Sequence, residues 1–303
     1  MFINSVLFNS ETWHGIKDAD ITELNIVDHQ LLRFICNSHS KTPVEFLYLE
    51  TGSIPLSYII SSRRLNYLHT IVTRDDEELT KRVYLTQKQN PSPGDFVKLI
   101  EEDFKTIGEE MNDNMIKKME KEQFKTSVKN KIKEATLKYL KEKQAGHSKV
   151  NNIEYSKLLR QPYLSSSIFN NKECELLFAL RSHTVRGIKA NTPSIYRNNM
   201  YCPLNCSSSP QQDKQEHLLK CHRIMGELKV EETEIAQIVD YKDLFGSTHE
   251  QKAAVLMFMK LLEVRTRLLE ENVEVPTPAS GASLDTASQA CQGSGGDVHI
   301  SVL

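Results

Sequence analysis

The chain has 303 residues, of which 39% are hydrophobic and 26% charged, with a formal net charge of −2. That length can bury a sizeable core and suits about two domains, the balance suits a soluble protein, and no apolar run reaches the length of a membrane-spanning helix. The small net charge hides unlike blocks: residues 1–112 hold 11 basic and 17 acidic side chains, residues 113–200 hold 18 and 8, and residues 229–274 hold 6 and 10.

In chain order, the apolar start MFINSVLFNSETW lacks the basic region and full apolar core of a secretory signal. Asp18 or Asp20 can cap a helix to about Cys36, with Ile21, Leu24, Val27, Leu31 and Phe34 repeating at three and four, so that this face is expected to be buried. Val44 to Glu50 is a short apolar piece closed by Gly52. Pro55 opens a helix through about Val72 that presents Tyr58, Ser62, Leu65, Leu68 and Val72 on one side, with Arg63 and Arg64 elsewhere. Asp75 and Asp76 suit the positive start of a helix through about Gln89. Ser92-Pro93-Gly94-Asp95 starts another, with Leu99, Ile100, Phe104 and Ile107 inward. Residues 113–143 read as one long helix bearing ten lysines. A further helix is expected at about 152–159, another at 171–185, and an amphipathic one at 249–272 with Val255, Phe258, Met259, Leu262 and Leu269 inward. From Val273 the chain is rich in Pro, Ser, Gly and Ala and is expected to be disordered. The fold class is mainly α.

The densest chemistry lies between Cys202 and His222. CPLNC, a ten-residue loop and HLLKCH place Cys202, Cys206, His217 and Cys221 within 21 residues. Thiolates and imidazoles in fours are the ligands of a structural zinc, and four protein ligands leave no open position for catalysis. His222 is the substitute for Cys221 as fourth ligand. His217 and Cys221 are one helical turn apart and so share a face. The remaining cysteines, Cys36, Cys174 and Cys291, make no disulfide framework, which suits a nuclear or cytoplasmic protein. The basic block before the cluster fits phosphate contacts, or equally a solvated lysine-rich face.

Several strings together resemble a known family. They are FNSETW, LLRFI and SKTPVEFLYLETGSIPLSYIISSRRLNYLH, followed by LFALRSHTVRGIKAN leading into CPLNC and QEHLLKC. In this order they are similar to the thumb, linker and C-terminal zinc knuckle of non-LTR (LINE-type) retrotransposon reverse transcriptases, over roughly residues 5–270. The resemblance implies a thumb-like helical bundle at 1–110, a basic helical linker with a long helix at 111–195, a CCHC zinc knuckle at 196–225, a helical segment at 226–272 and a disordered tail at 273–303. It implies RNA or DNA as partner, together with the N-terminal polymerase part of a parent polyprotein, and neither a membrane nor a small-molecule substrate. Arg63 and Arg64 become thumb contacts, or helix-surface ion pairs. Arg181, Arg186, Lys189 and Arg197 form a basic approach to the knuckle. Lys125, Lys129 and Lys133 share a helix face that meets phosphates. Tyr196 and Tyr201 stack on bases or pack beside the metal.

Catalysis is not expected. The aromatic-x-Asp-Asp hairpin that holds the polymerase metals is missing, and Asp75-Asp76 in TRDDEE reads as a helix start. No Pro-Asp nuclease motif follows the knuckle. His249-Glu250 lacks the second His of a zinc protease, since Ala253 stands there. No phosphate-cradling glycine loop and no Gly-x-Ser-x-Gly elbow occurs. The expected function is therefore non-catalytic nucleic-acid binding by a C-terminal fragment without its palm. The alternatives are a zinc-stapled helical protein-interaction module, and the dissociated C-terminal part of an active polymerase.

Overall fold

The computed structural model describes residues 2–13, 16–151, 153–188, 201–207, 211–229 and 240–271. The described residues are mainly helical. The α-helices are α1 (Phe2–Val6), α2 (Asp18–Ile35), α3 (Val44–Thr51), α4 (Leu56–Val72), α5 (Leu79–Gln89), α6 (Phe96–Thr106), α7 (Asp113–Lys118), α8 (Lys121–Gln144), α9 (Asn171–Arg181), α10 (His222–Leu228) and α11 (Thr248–Glu271). Among the described residues no strand forms, and an isolated antiparallel bridge joins Tyr201 to Gln212.

The helix starts follow local chemistry. The Asp20 carboxylate accepts the Lys17 amide at 2.9 Å, the Asp95 carboxylate accepts the Ser92 amide at 2.8 Å, and Asn170 and Glu173 exchange the two bonds of a capping box at α9. Gly52 ends α3 at φ 65, and a Cβ there would lie 2.3 Å from the Arg160 amide nitrogen. Only glycine meets both demands, so the chain at 159–160 can cross directly over the α3 end.

Helix α4 is the central strut, packing on α2, α5, α6, α7, α8 and the Ser10–Thr12 turn. Its apolar side, Leu65, Leu68, Ile71 and Val72, meets Tyr84, Val97, Ile100, Phe104, Ile116, Phe124, Val128 and Ile132 in one cluster. A second, larger cluster joins α3, the end of α8, α9, the cysteine loop and α11 through residues such as Phe46, Leu140, Phe178, Cys202, Leu218, Ile224, Phe258 and Leu261. Ile54 touches both clusters. The apolar contacts therefore run across the charge blocks seen in the sequence, and the cysteine loop shares the core of its helical neighbours.

Five expectations need correction. The expected inner face of α2 is not buried throughout, since Val27 and Phe34 on it are exposed while Asp28 and Leu32 are buried. The helix at 113–143 is two helices, because the chain turns extended at Met119 and its carbonyl accepts a bond from His69 Nε2 at 2.9 Å. Residues 153–161 are not helical. There the backbone and tyrosines turn to Glu50: the Gln161 amide donates to the Glu50 carbonyl at 2.9 Å, and a short Pro162–Leu164 turn follows. Asp75 and Asp76 lie in a turn ahead of α5, which starts at Leu79. Helix α9 ends at Arg181 rather than near Val185, as Ser182 closes it and His183 takes left-handed backbone at φ 53. The tail from Val273 lies outside the described residues.

Candidate metal centre

The site is built by two short turns. The Cys202 amide donates to the Gln211 carbonyl at 2.8 Å, beside the Tyr201–Gln212 bridge, and this closes the loop that carries the first cysteine pair. Within the turn the Asn205 amide bonds the Cys202 carbonyl at 3.2 Å, and Asn205 sits at φ 48, so Cys206 doubles back toward Cys202. The second pair is not on one α-helical face as the spacing suggests. His217 lies in a 3-10 turn, Gln215–Lys220, and Cys221 is the extended residue between that turn and α10. The break still delivers both ligands to the same point.

The ligand atoms of Cys202, Cys206, His217 and Cys221 all lie within 4.8 Å of one another, so the set could hold a metal ion. Cys206 Sγ is 3.2 Å from His217 Nε2, and the sulfurs of Cys202 and Cys221 are 4.0 Å apart. Bonds of about 2.0–2.3 Å around a tetrahedral zinc place its ligand atoms about 3.5–3.8 Å apart, between those two separations. His222 is exposed and outside the group, so Cys221 is the fourth member.

The electrostatics fit a cation. A bond from the Cys221 thiol, helped by His217 and the Leu204 amide against the cost of burial, pulls Cys202 down to about 3. The same bond and burial push Cys221 up, and burial followed by the Cys202 charge pushes Cys206 up. The protein alone thus accommodates one thiolate and resists the others. A divalent ion at the centre removes that repulsion.

The loop is anchored by a buried ion pair that sequence reasoning missed. Asp213 is fully buried, and its two oxygens accept Arg265 Nη1 at 2.7 Å and Nη2 at 2.8 Å. Arg265 also reaches the Gly187 carbonyl at 3.3 Å. A signal existed: Arg265 sits four residues after Leu261 and seven after Phe258, on the apolar stripe of α11 where a lone arginine needs a buried partner. Gln215 donates to the Leu180 carbonyl at 2.6 Å and to the Tyr241 hydroxyl. Leu218, Cys221 and Ile224 are fully buried.

The expected nucleic-acid contacts divide sharply. Arg64 is buried and forms a two-point pair with Asp103, both bonds at 2.7 Å. Arg181 is 3% exposed, pairs with Glu50 through Nη2 at 2.8 Å and Nε at 3.1 Å, and donates to the Leu244 carbonyl at 2.7 Å. These two are tied inside the protein and do not meet phosphates, because a buried guanidinium spends its donors on its carboxylate. Arg63 is half-buried and bonds the Leu7 carbonyl and Asn4 Oδ1, pinning the first residues onto α4. Lys125 lies near the surface beside Glu122, Lys129 is exposed, and Lys133 lines a shallow groove against Leu158. Arg186 is exposed, while Lys189, Tyr196 and Arg197 lie outside the described residues. Tyr201 is half exposed. Among the described residues no helix is long and apolar enough to cross a membrane. Comparison of the chain with protein families, with curated proteins and with solved structures finds no match.

Proposed function

We propose that this chain binds RNA or DNA without catalysing a reaction, as the thumb, linker and zinc-knuckle portion of a LINE-type reverse transcriptase polyprotein, with one structural zinc on Cys202, Cys206, His217 and Cys221. The donor set of three sulfurs and one imidazole suits zinc, and the closed set suits a structural ion. The observation that carries the nucleic-acid part is the division of the cations. Arg64 and Arg181 hold the interior together, whereas the lysines of α8 remain at the surface on a helix whose apolar side, Phe124, Val128, Ile132 and Leu140, is already buried. At 24 residues α8 is about 36 Å long, close to one turn of a duplex. Lys125, Lys129 and Lys133 recur every four residues along it, and the exposed Lys125–Glu122 pair is readily exchanged for a phosphate.

The test is salt-titrated binding of a single-stranded RNA and a duplex DNA. Changing Lys125, Lys129 and Lys133 together to glutamine is expected to make the slope of log K against log salt shallower by about 2–3, since each phosphate contact contributes about 0.7–0.9. Binding that ignores salt, or a variant identical to the parent, overturns the reading.

The second reading is a zinc-stapled helical module that binds a protein. One observation favours it: α2 leaves Val27, Phe34 and Ile35 exposed, Phe34 at 83%, and neighbouring exposed apolar side chains of this kind mark contact surfaces. Within the first reading, the same stripe would face the polymerase part of the parent polyprotein.

A further inference from the structure

The loop that follows α2 and the loop that follows α9 meet over a cleft of about 270 Å³. Ser38 and His39 line it from the first loop, Lys172 and Glu175 from α9, and Thr184 and Arg186 from the second loop. The Thr42 and Thr184 hydroxyls, 3.5 Å apart, tie the two loops. Asn37, at φ 43, turns the chain out of α2 and into the cleft wall.

The charge in this cleft is one-sided. Burial first, then the charges of Lys41, Arg186 and Lys149, hold the His39 imidazole below its ordinary pKa, so all three cations bear on this ring. Of the wall residues themselves, Arg186 and Lys172 are cationic and Glu175 is anionic, while Lys41 and Lys149 act on the ring from outside the wall. Like charges gathered around one concavity repel unless an anion completes them. The donors are also arranged for one. The Lys41 amide donates to His39 Nδ1 at 3.1 Å, so the neutral ring carries its proton on Nε2. The Ser38 hydroxyl oxygen is buried and has no hydrogen-bond partner in the protein, which is unusual for a buried polar atom.

We propose that this cleft holds a phosphate group, with Arg186 and Lys172 supplying charge and the Ser38 hydroxyl and His39 Nε2 supplying hydrogen bonds. The source of that phosphate rests on the functional reading above: in a nucleic acid it is one backbone phosphate, seated where the chain leaves α9 for the metal loop. Arg186 and Lys172 are exposed, so replacing them leaves the core intact.

The experiment follows the His39 ring protons by NMR while inorganic phosphate is added to the full chain. A saturable movement is expected in the parent. In Arg186→Gln/Lys172→Gln the affinity is expected to fall about tenfold or more, the scale of a lost charge-assisted bond. No saturable movement in the parent, or equal affinity in the variant, overturns the proposal. A second arm uses an oligoribonucleotide without terminal phosphates. Movement of the same signals assigns the cleft to backbone phosphate. Movement with inorganic phosphate alone assigns it to a free phosphate ester, and the cleft then stands even if the nucleic-acid reading fails.

Discussion

Glu50→Ala is expected to lower stability by about 3–5 kcal/mol, the cost of leaving one member of a buried ion pair alone. Glu50 is fully buried at the end of α3. It accepts bonds from the Tyr155 hydroxyl at 2.5 Å, the Tyr163 hydroxyl at 2.6 Å and Arg181 Nη2 at 2.8 Å. Burial and the Glu50 charge hold both phenols well above their ordinary pKa. Burial disfavours the Arg181 charge, yet the Glu50 carboxylate outweighs it and raises the guanidinium above its usual value. This carboxylate therefore gathers α3, the 153–163 crossing and α9 into one core. Urea unfolding checks the effect through the midpoint at unchanged slope. In a cycle with Arg181→Met and Glu50→Gln, a coupling of about 1–3 kcal/mol is expected. A loss of a few tenths of a kcal/mol for Glu50→Ala would place the pair among surface contacts and contradict the burial argument.

Chelating the metal is expected to lower Tm by about 10 °C. Zinc held about 1,000-fold above its Kd stabilises by about 4 kcal/mol, and a domain of this size loses about 2–4 °C per kcal/mol. The loss should be local. Asp213–Arg265 and the buried Leu218 and Ile224 still hold the loop to α11, and the cluster built by α4–α8 takes none of its buried residues from that loop. Far-UV circular dichroism before and after chelation, with readdition of zinc, measures this. A Tm that does not move would remove the ion from the account of stability.

How far the sequence could be read depends on where each side chain's partner lies. Helices whose apolar faces repeat locally, such as α4, α6 and α11, follow from spacing, and α4 and α6 also from Pro55 and Asp95 at their starts. The cysteine–histidine cluster that could hold a metal was legible because cysteine and histidine at short spacing have few other uses. What failed were long-range choices. His69 draws the Met119 carbonyl out of a continuous helix, across 50 residues of chain. Glu50 holds the 153–161 segment out of helix through partners more than 100 residues away. Arg64 and Arg181 were read as surface cations, although each sits at helical spacing among buried residues, Leu65 and Leu68 for one and Leu177 and Phe178 for the other. Their carboxylates, Asp103 and Glu50, carry no local mark of burial.

The metal site is tested most directly by the metal content of the freshly reduced, folded chain, compared with Cys221→Ser and His222→Ala. One zinc per chain is expected in the parent and in His222→Ala, and none firmly held in Cys221→Ser, because Cys221 and not His222 belongs to the four-residue cluster that could hold the ion. Folded parent protein without zinc, or loss of the ion on replacing His222, would contradict this assignment.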